Sequence, residues 1–407
     1  MYSITTNAVK LEAICCSLSC LLTGCLTLDA PPCPETPPAD VIYVHGGTGS
    51  DSAGTGECSV PFKTISKAIS VANASNARTI HIFGDSTPIV YGTATNGERF
   101  PLRLEKAALR LEGDGDTKVI LRGGGACEPV DATLNCAIAA VGAGVEIRGL
   151  QIENIDGYGI RADASLVTIE DVHVTNSGAT GIFVRSNDAI LTRTRVTNSV
   201  NEGLRTVSPT AVKYNISILD CTFSSNSHRG LFAEDEGVIT STGSTYADNK
   251  WDGIGFHDQV ELTSTDDTFE RNDDGLAALD DAASTVILKV QNAKLNSNRK
   301  HGVNVAQAKS VRIRNSTMLG NVAAGFRATM VGDSIDLGSP NDPGGNTFQS
   351  ATTPNGSGIC FDGTGTLSAR ANHFKSCPPT SRPDSQCMDS VDIGGSGQIL
   401  FDGCLAP

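Results

Sequence analysis

Three aspartates sit at the same place relative to a recurring glycine: Asp235 five residues after Gly230, Asp258 five after Gly253, and Asp280 five after Gly275. Glu234, Glu236, His257 and Asp281 lie beside them. If successive segments stack at the strand spacing of about 4.8 Å, these carboxylates form a column. Two unit charges about 5 Å apart repel by roughly 3 kcal/mol at an effective dielectric of 20. Such a column binds a cation, raises a pKa, or turns outward into water. Calcium takes six to eight oxygens at about 2.4 Å and could bridge two rungs, which makes Asp235, Asp258 and Asp280 its expected ligands. No cofactor is otherwise demanded. A histidine beside a carboxylate is suited to proton transfer, so Asp258, His257 and Asp280 are the expected catalytic groups. Glu234, Asp235, Trp251 and Asp281 are the expected ligand contacts.

A second, mixed cluster lies just ahead of the glycines: His228-Arg229, Trp251-Asp252, Asp273-Asp274 and Lys300-His301. Trp251 is the single tryptophan. In a turn it either stacks on a sugar ring or packs on the neighbouring coil. Arg161, Arg205 and Arg327 look scattered and are expected to serve solubility.

These groups need elements to hold them, and the glycines supply the clue. Gly159, Gly181, Gly203, Gly230, Gly253, Gly275, Gly302, Gly325 and Gly358 are each followed by an apolar residue, at intervals of 22, 22, 27, 23, 22, 27, 23 and 33 residues. A fixed period of this length marks stacked supersecondary units, each too small to bury an apolar face alone. Stretches such as Val167-Thr168-Ile169 and Val311-Arg312-Ile313 alternate apolar and polar residues and are rich in β-branched side chains. That is a strand pattern. Leu-x-x-Leu-x-Leu and Gly-Gly-x-Gly-x-Asp frames are both absent, which excludes leucine-rich and calcium-binding nonapeptide repeats. An all-β, right-handed parallel β-helix of about 22-residue coils remains. The residue after each glycine and the one two further on should point inward, with the residue between them outward. Asn154, Asn176, Asn198, Asn226, Asn249, Asn298 and Asn321 suit tight turns and should form a hydrogen-bonded ladder between coils. The 43 glycines, 5% aromatics and a net charge of −14 over 407 residues describe a turn-rich acidic chain with a slim aliphatic core. That charge argues against nucleic acid as a partner.

The expected divisions are a signal segment over 1–24, a Pro-rich tether over 25–40, an N-terminal cap with the first coils over 41–125, the β-helix over 126–345, and a disulfide-bearing C-terminal cap over 346–407. The apolar stretch Ala13–Leu22 is too short to span a membrane and reads as a secretory signal. Leu22-Thr23-Gly24-Cys25 is similar to the lipobox of bacterial lipoproteins. The resemblance implies acylation at Cys25, a membrane partner through the lipid, and an outer-membrane or cell-surface location. The tether would then reach roughly 40 Å. For an exported chain short-range disulfides are expected, namely Cys33–Cys58, Cys127–Cys136, Cys377–Cys387 and Cys360–Cys404, with Cys221 an inward free thiol.

Val41-Ile-Tyr-Val44, then Pro61-Phe-Lys-Thr-Ile65 running to Ala68-Ile69, then Thr79-Ile-His-Ile82, resemble the N-terminal cap of bacterial pectin-lyase-like proteins that open with a domain of unknown function. The resemblance covers residues 41 to about 375. It implies a helix over about Thr64–Ala74 whose apolar side (Ile65, Ala68, Ile69, Ala72) plugs the end of the core, and extracellular carbohydrate-related work. Of the polygalacturonase-like motifs, Asp280-Asp281 and Arg312-Ile313-Arg314 resemble two. Lys300 stands where a glycine should precede His301-Gly302, and Asn-Thr-Asp is missing. Three functions stay open: a surface lipoprotein binding polysaccharide or envelope components, a calcium-assisted lyase or glycoside hydrolase acting on acidic polysaccharide, and a structural envelope protein. A monomer is expected.

Overall fold

The computed structural model describes residues 33–127, 135–208, 212–278, 286–306, 308–349, 357–374, 381–382, 391–393 and 397–405. A single coil shows how they are built. Val167–Glu170 is extended; the chain turns at Asp171, extends over His173–Ser177, turns again, and extends over Ile182–Val184 before the next coil begins at Asp188. Strands of successive coils pair parallel and in register, so that Thr168 lies over Ile190, Val174 over Val196, and Ile182 over Leu204. Repetition gives three walls. The first, from Val41–Val44 to Gln398–Leu400, has 14 described strands; the second, from Ile89–Gly92 to His373–Phe374, has 12; the third, containing Leu102–Leu104 through Ser357–Phe361, has 14. This is the parallel β-helix that the glycine period predicts.

The glycine step opens each strand of the third wall. Ile160, Ile182, Leu204, Leu231, Ile254, Leu276, Val303 and Phe326 are buried in one core that runs from Ile42 to Ile399. The alternation is therefore as expected, but the core is not purely aliphatic. Phe223, Tyr246 and Phe269 stack along the inside of the second wall at centroid separations of 5.4 and 5.1 Å. Register stacking makes this possible, because like side chains fall over one another.

Two turns per coil need a left-handed residue. Between the first and second walls it is Asp171, Arg193, Asp220, Gly243, Asp266, Asn292 or Asn315; between the second and third it is Asn154, Asn176, Asn198, Ser225, Asp248, Arg271, Ser297 or Gly320. The asparagines read together from sequence thus occupy two positions. Asn154, Asn176 and Asn198 are the left-handed residues themselves. Asn226, Asn249, Asn298 and Asn321 stand one place later, together with Asn272, and form the buried ladder. The backbone N–H and Nδ2 of Asn249 both donate to Asn272 Oδ1, each at 3.0 Å, and Nδ2 also donates to Phe223 O at 3.1 Å. Asn226, Asn272 and Asn298 repeat the pattern toward Asn249, Asn298 and Asn321. In the coils before Asn226 the same place holds Ser177 and Ser199.

The N-terminal helix runs from Ile65 to Ala74 with Thr64 as its N-cap and buries Ile65, Ala68, Ile69 and Ala72, as expected. Both ends are tied to the first coils. The buried Glu98 carboxylate accepts from the backbone amides of Ile65 and Ser66 at 2.7 and 2.9 Å, complementing the positive end of the helix. Lys106 Nζ donates to the carbonyls of Ala72, Ser75 and Ala77 beyond the other end. Disulfides Cys33–Cys58 and Cys127–Cys136 are present, and Cys360 and Cys404 are also disulfide-bonded. Cys221 is free and buried, and burial pushes its thiol up to about 11. Cys377 and Cys387 lie outside the described residues, as do Cys25 and the signal segment.

Asn249→Ala strips the donors of Asn226 of their acceptor and Phe223 O of its donor. Each buried unmet group costs about 1–3 kcal/mol. The expected loss, read as a lower urea midpoint, is roughly 3 kcal/mol, and Asn176→Ala, at an exposed turn, should cost visibly less.

Candidate functional site

Outward residues of the third wall form columns because the strands are in register. Reading the middle of that wall coil by coil gives Arg161, Phe183, Arg205, Phe232, Gly255, Ala277, Asn304 and Arg327. Of the arginines assigned to solubility, Arg161 and Arg205 alternate with aromatic rings on one face, Arg327 stands farther along the same column, and Arg161 is almost wholly buried. The Arg161 and Arg205 guanidinium carbons lie 5.6 and 5.9 Å from the Phe183 centroid. Arg205 lies 5.8 Å from Phe232. Arg229 lies 4.3 Å from Phe232 and 5.0 Å from Trp251. These are cation–π distances. Trp251 stacks on His228 at 4.6 Å yet keeps 42% of its surface exposed. It therefore packs on the preceding coil and still offers a ring face to solvent.

Beside this column runs another, made of the residue before each repeat glycine: Thr180, Glu202, Arg229, Asp252, Asp274 and His301. All but Arg229 are buried, although they lie on the outside of the wall. Thr180 Oγ1 donates to Glu202 Oε2 at 2.9 Å. Arg229 Nε donates to Asp252 Oδ2 at 3.0 Å. Its guanidinium crosses Gly255 so closely that a Cβ there would meet Nε at 2.3 Å, so any larger residue would displace the arginine. Asp274 Oδ1 is 2.8 Å from His301 Nδ1 and also accepts the His301 backbone N–H at 3.0 Å. Asp274 Oδ2 accepts from Asn304 Nδ2 at 2.8 Å, and Arg327 in turn donates to Asn304 Oδ1 at 3.0 Å. With three donors converging on it and a side chain only 3% exposed, Asp274 is held in place. Asp252 differs. Burial pushes its carboxyl up to about 6; the Arg229 charge opposes that rise and Asp274 in the next rung adds to it. Charges buried on an outer wall add nothing to the core and are costly unless fully paired, which points to function rather than to folding.

The aspartate column read from the sequence takes a different form. Asp235 and Asp258 do occupy equivalent places one rung apart, since Glu236 pairs with Gln259. Both are left-handed turn residues, with φ of 63° and 65°. Asp235 Oδ2 accepts from the Ser208 amide at 3.0 Å, His257 Nδ1 and Asp258 Oδ2 are 2.8 Å apart, and Glu234 is paired to Arg205. Asp280 and Asp281 lie outside the described residues. Among the described residues, no group of three or more potential ligands could hold a metal ion. Thus Trp251 and Glu234 sit on the arginine–aromatic face, whereas Asp235, His257 and Asp258 sit at its trailing edge. Arg229, Asp252, Asp274 and His301 belong to the second cluster read from the sequence, where they were given no role, and Asn304 was not singled out. The signal for them was present, as the place before and the place two after each glycine. Elsewhere, a groove of about 580 Å³ on the first wall is lined by Leu166, Ile190, Ile216 and Val238, with Asp188 its sole titratable group.

The sequence matches the family described as right handed beta helix region over residues 135–288 and 212–406, which together span most of the chain. The chain belongs to that family. No curated protein matches it in sequence. Among solved structures it is similar to the A-module of the Azotobacter vinelandii mannuronan C-5 epimerase AlgE4, with 15% identity over 90% of this chain and 100% of that one and a TM-score of 0.51. It is also similar to the catalytic unit of the GH87 α-1,3-glucanase from Streptomyces thermodiastaticus strain HF3-3, with 13% identity over 91% and 70% of the two chains and a TM-score of 0.51. At these identities the likeness is one of fold, and it places this chain among right-handed β-helices.

The raised Asp252 carboxyl has a consequence for stability. Its folded pKa lies above its unfolded value near 4, so the folded state holds the proton more tightly, and this contribution is lost as pH rises through about 6. The shift corresponds to about 3 kcal/mol. Wild type should therefore lose stability relative to Asp252→Asn between pH 4 and 7, measured as the difference in Tm at each pH. A constant difference would contradict the raised pKa.

Proposed function

We propose that this protein binds a polysaccharide chain along the outside of its third wall. The observation that carries the reading is the alternating stack Arg161, Phe183, Arg205, Phe232, Arg229, Trp251. Flat rings and guanidinium planes in one line suit the apolar faces and hydroxyls of successive sugars. A chain laid parallel to the axis meets one outward side chain of this column per rung, about 4.8 Å apart. The fold-level likeness to a polysaccharide epimerase and a glucanase supports the same reading by analogy.

The charge of the face favours a neutral glycan over an acidic one. Arg161 and Arg185 pair with Asp163, Arg205 with Glu234, and Arg229 with Asp252. With Arg327 on one side and Glu202 and Asp274 on the other, five arginines face five carboxylates, in a chain of net charge −14. No surplus of cations is left to hold a row of uronates. A secreted or surface-anchored lipoprotein, tethered through Cys25 and the Pro-rich segment that follows it, would hold this body off the membrane.

In affinity gels containing xylan, mixed-linkage β-glucan, starch, dextran, alginate or polygalacturonate, we expect retardation by at least one neutral polymer. Trp251→Ala and Phe232→Ala should each weaken it about tenfold, in line with about 1.4 kcal/mol per lost ring contact. Retardation by the acidic polymers alone, or indifference to both substitutions, would count against this face. Separately, Cys25→Ser should move the protein from the membrane fraction to the soluble fraction of its host. Unchanged fractionation would remove the lipid anchor.

A further inference from the structure

We propose that the cluster beside Trp251 hydrolyses the bound glycan, with Asp252 as general acid and His301 as general base. This rests on the binding reading above and adds a reaction to it. The geometry has three parts. First, Asp252 and His301 lie in one column two rungs apart, about 10 Å between backbones at the strand spacing. That spacing is close to the roughly 6.5–9.5 Å between the two carboxyl groups of an inverting glycosidase. Their side chains are each 11% exposed, enough to be reached from the face.

Second, the rung between them holds Asp274, whose side chain is almost fully enclosed. It bonds His301 Nδ1 at 2.8 Å and is itself fixed by Asn304. Asp274 and Asn304 are therefore positioning residues. With the proton of the neutral ring on Nδ1, the Nε2 lone pair is the one available to take a proton. Third, the middle column between these groups carries Gly255 and Ala277, the two smallest side chains in its run from Arg161 to Arg327. They let the Arg229 guanidinium lie across the face between Asp252 and Phe232.

In the step itself, His301 Nε2 takes a proton from water as the water oxygen bonds to the anomeric carbon. The bond from that carbon to the bridging oxygen breaks, its electron pair stays on the oxygen, and the Asp252 proton goes to it. Two shorter chains result, water is the only co-reactant, and both side chains regain their starting protonation from solvent. Burial of Asp252, which holds its proton to about pH 6, fits the acid role.

The test uses the full-length protein and whichever of the six polysaccharides it binds most tightly. We expect release of reducing ends, and inversion of the new anomeric centre by ¹H NMR on fresh product. Asp252→Asn and His301→Gln should each lower the rate at saturating glycan at least 10²-fold while their far-UV CD spectra stay those of wild type, which shows that they fold. The wild-type rate should fall on the alkaline side near pH 6, and in Asp274→Asn the rate–pH profile should shift, which a merely structural role would not cause. Binding without release of reducing ends, retention of configuration, or full activity in either Asp252→Asn or His301→Gln would overturn the proposal and leave the binding reading standing. Failure to bind any of the six would remove both.

Discussion

Everything in this molecule follows from strands of successive coils pairing in register. Once Ile182 lies over Leu204 and Val174 over Val196, each side chain has a counterpart directly above and below it. A polar group in a buried turn then finds partners in the rung beside it. The asparagine run from Asn226 to Asn321 meets that requirement by passing donors along the axis. The turn between the first and second walls meets it in another way. There the Cys221 amide donates to Ser244 Oγ, and the Ser244 amide to the buried Asp267. Burial pushes the Asp267 carboxyl up to about 6, though Ser264 and Ser244 both donate to it.

The same constraint builds the outer face. Alternation along a strand decides which residues leave the core, and register decides which of them become neighbours. Arg161, Phe183, Arg205 and Phe232 are far apart in the chain and adjacent in space. A line of cation–π contacts results without any loop having to arrange it. Where the column reaches Gly255 and Ala277 its side chains become small, and the buried Asp252, Asp274 and His301 stand beside it.

Much of this was legible in the sequence. The glycine period predicts the coils, the inward positions and the cap helix with its buried Ile65, Ala68, Ile69 and Ala72, because these depend on local pattern and on a short apolar stripe. The site was legible in part. Trp251 and its flanking charged pairs stand out by type, but the sequence does not reveal burial: Asp252 and Asp274 sit beside glycines like any turn acid. The reading favoured Asp235 and Asp258, whose spacing is equally regular. Their left-handed backbone appears only in the folded turn, and the bond of Asp235 to Ser208 depends on the neighbouring rung. The off-by-one error in the asparagines has a related cause. Asn154 and Asn226 suit the left-handed turn and the ladder position after it equally well by type, and only the register separates them.

The cap helix shows what such regularity demands of a column's end. Every rung is a surface complementary to the rung above it, so an open end would be complementary to the far end of another molecule. That is a head-to-tail contact that never closes on itself, and its product is a fibre. Glu98 and Lys106 clamp the two ends of one ten-residue helix over the first coil, so that end of the column is covered.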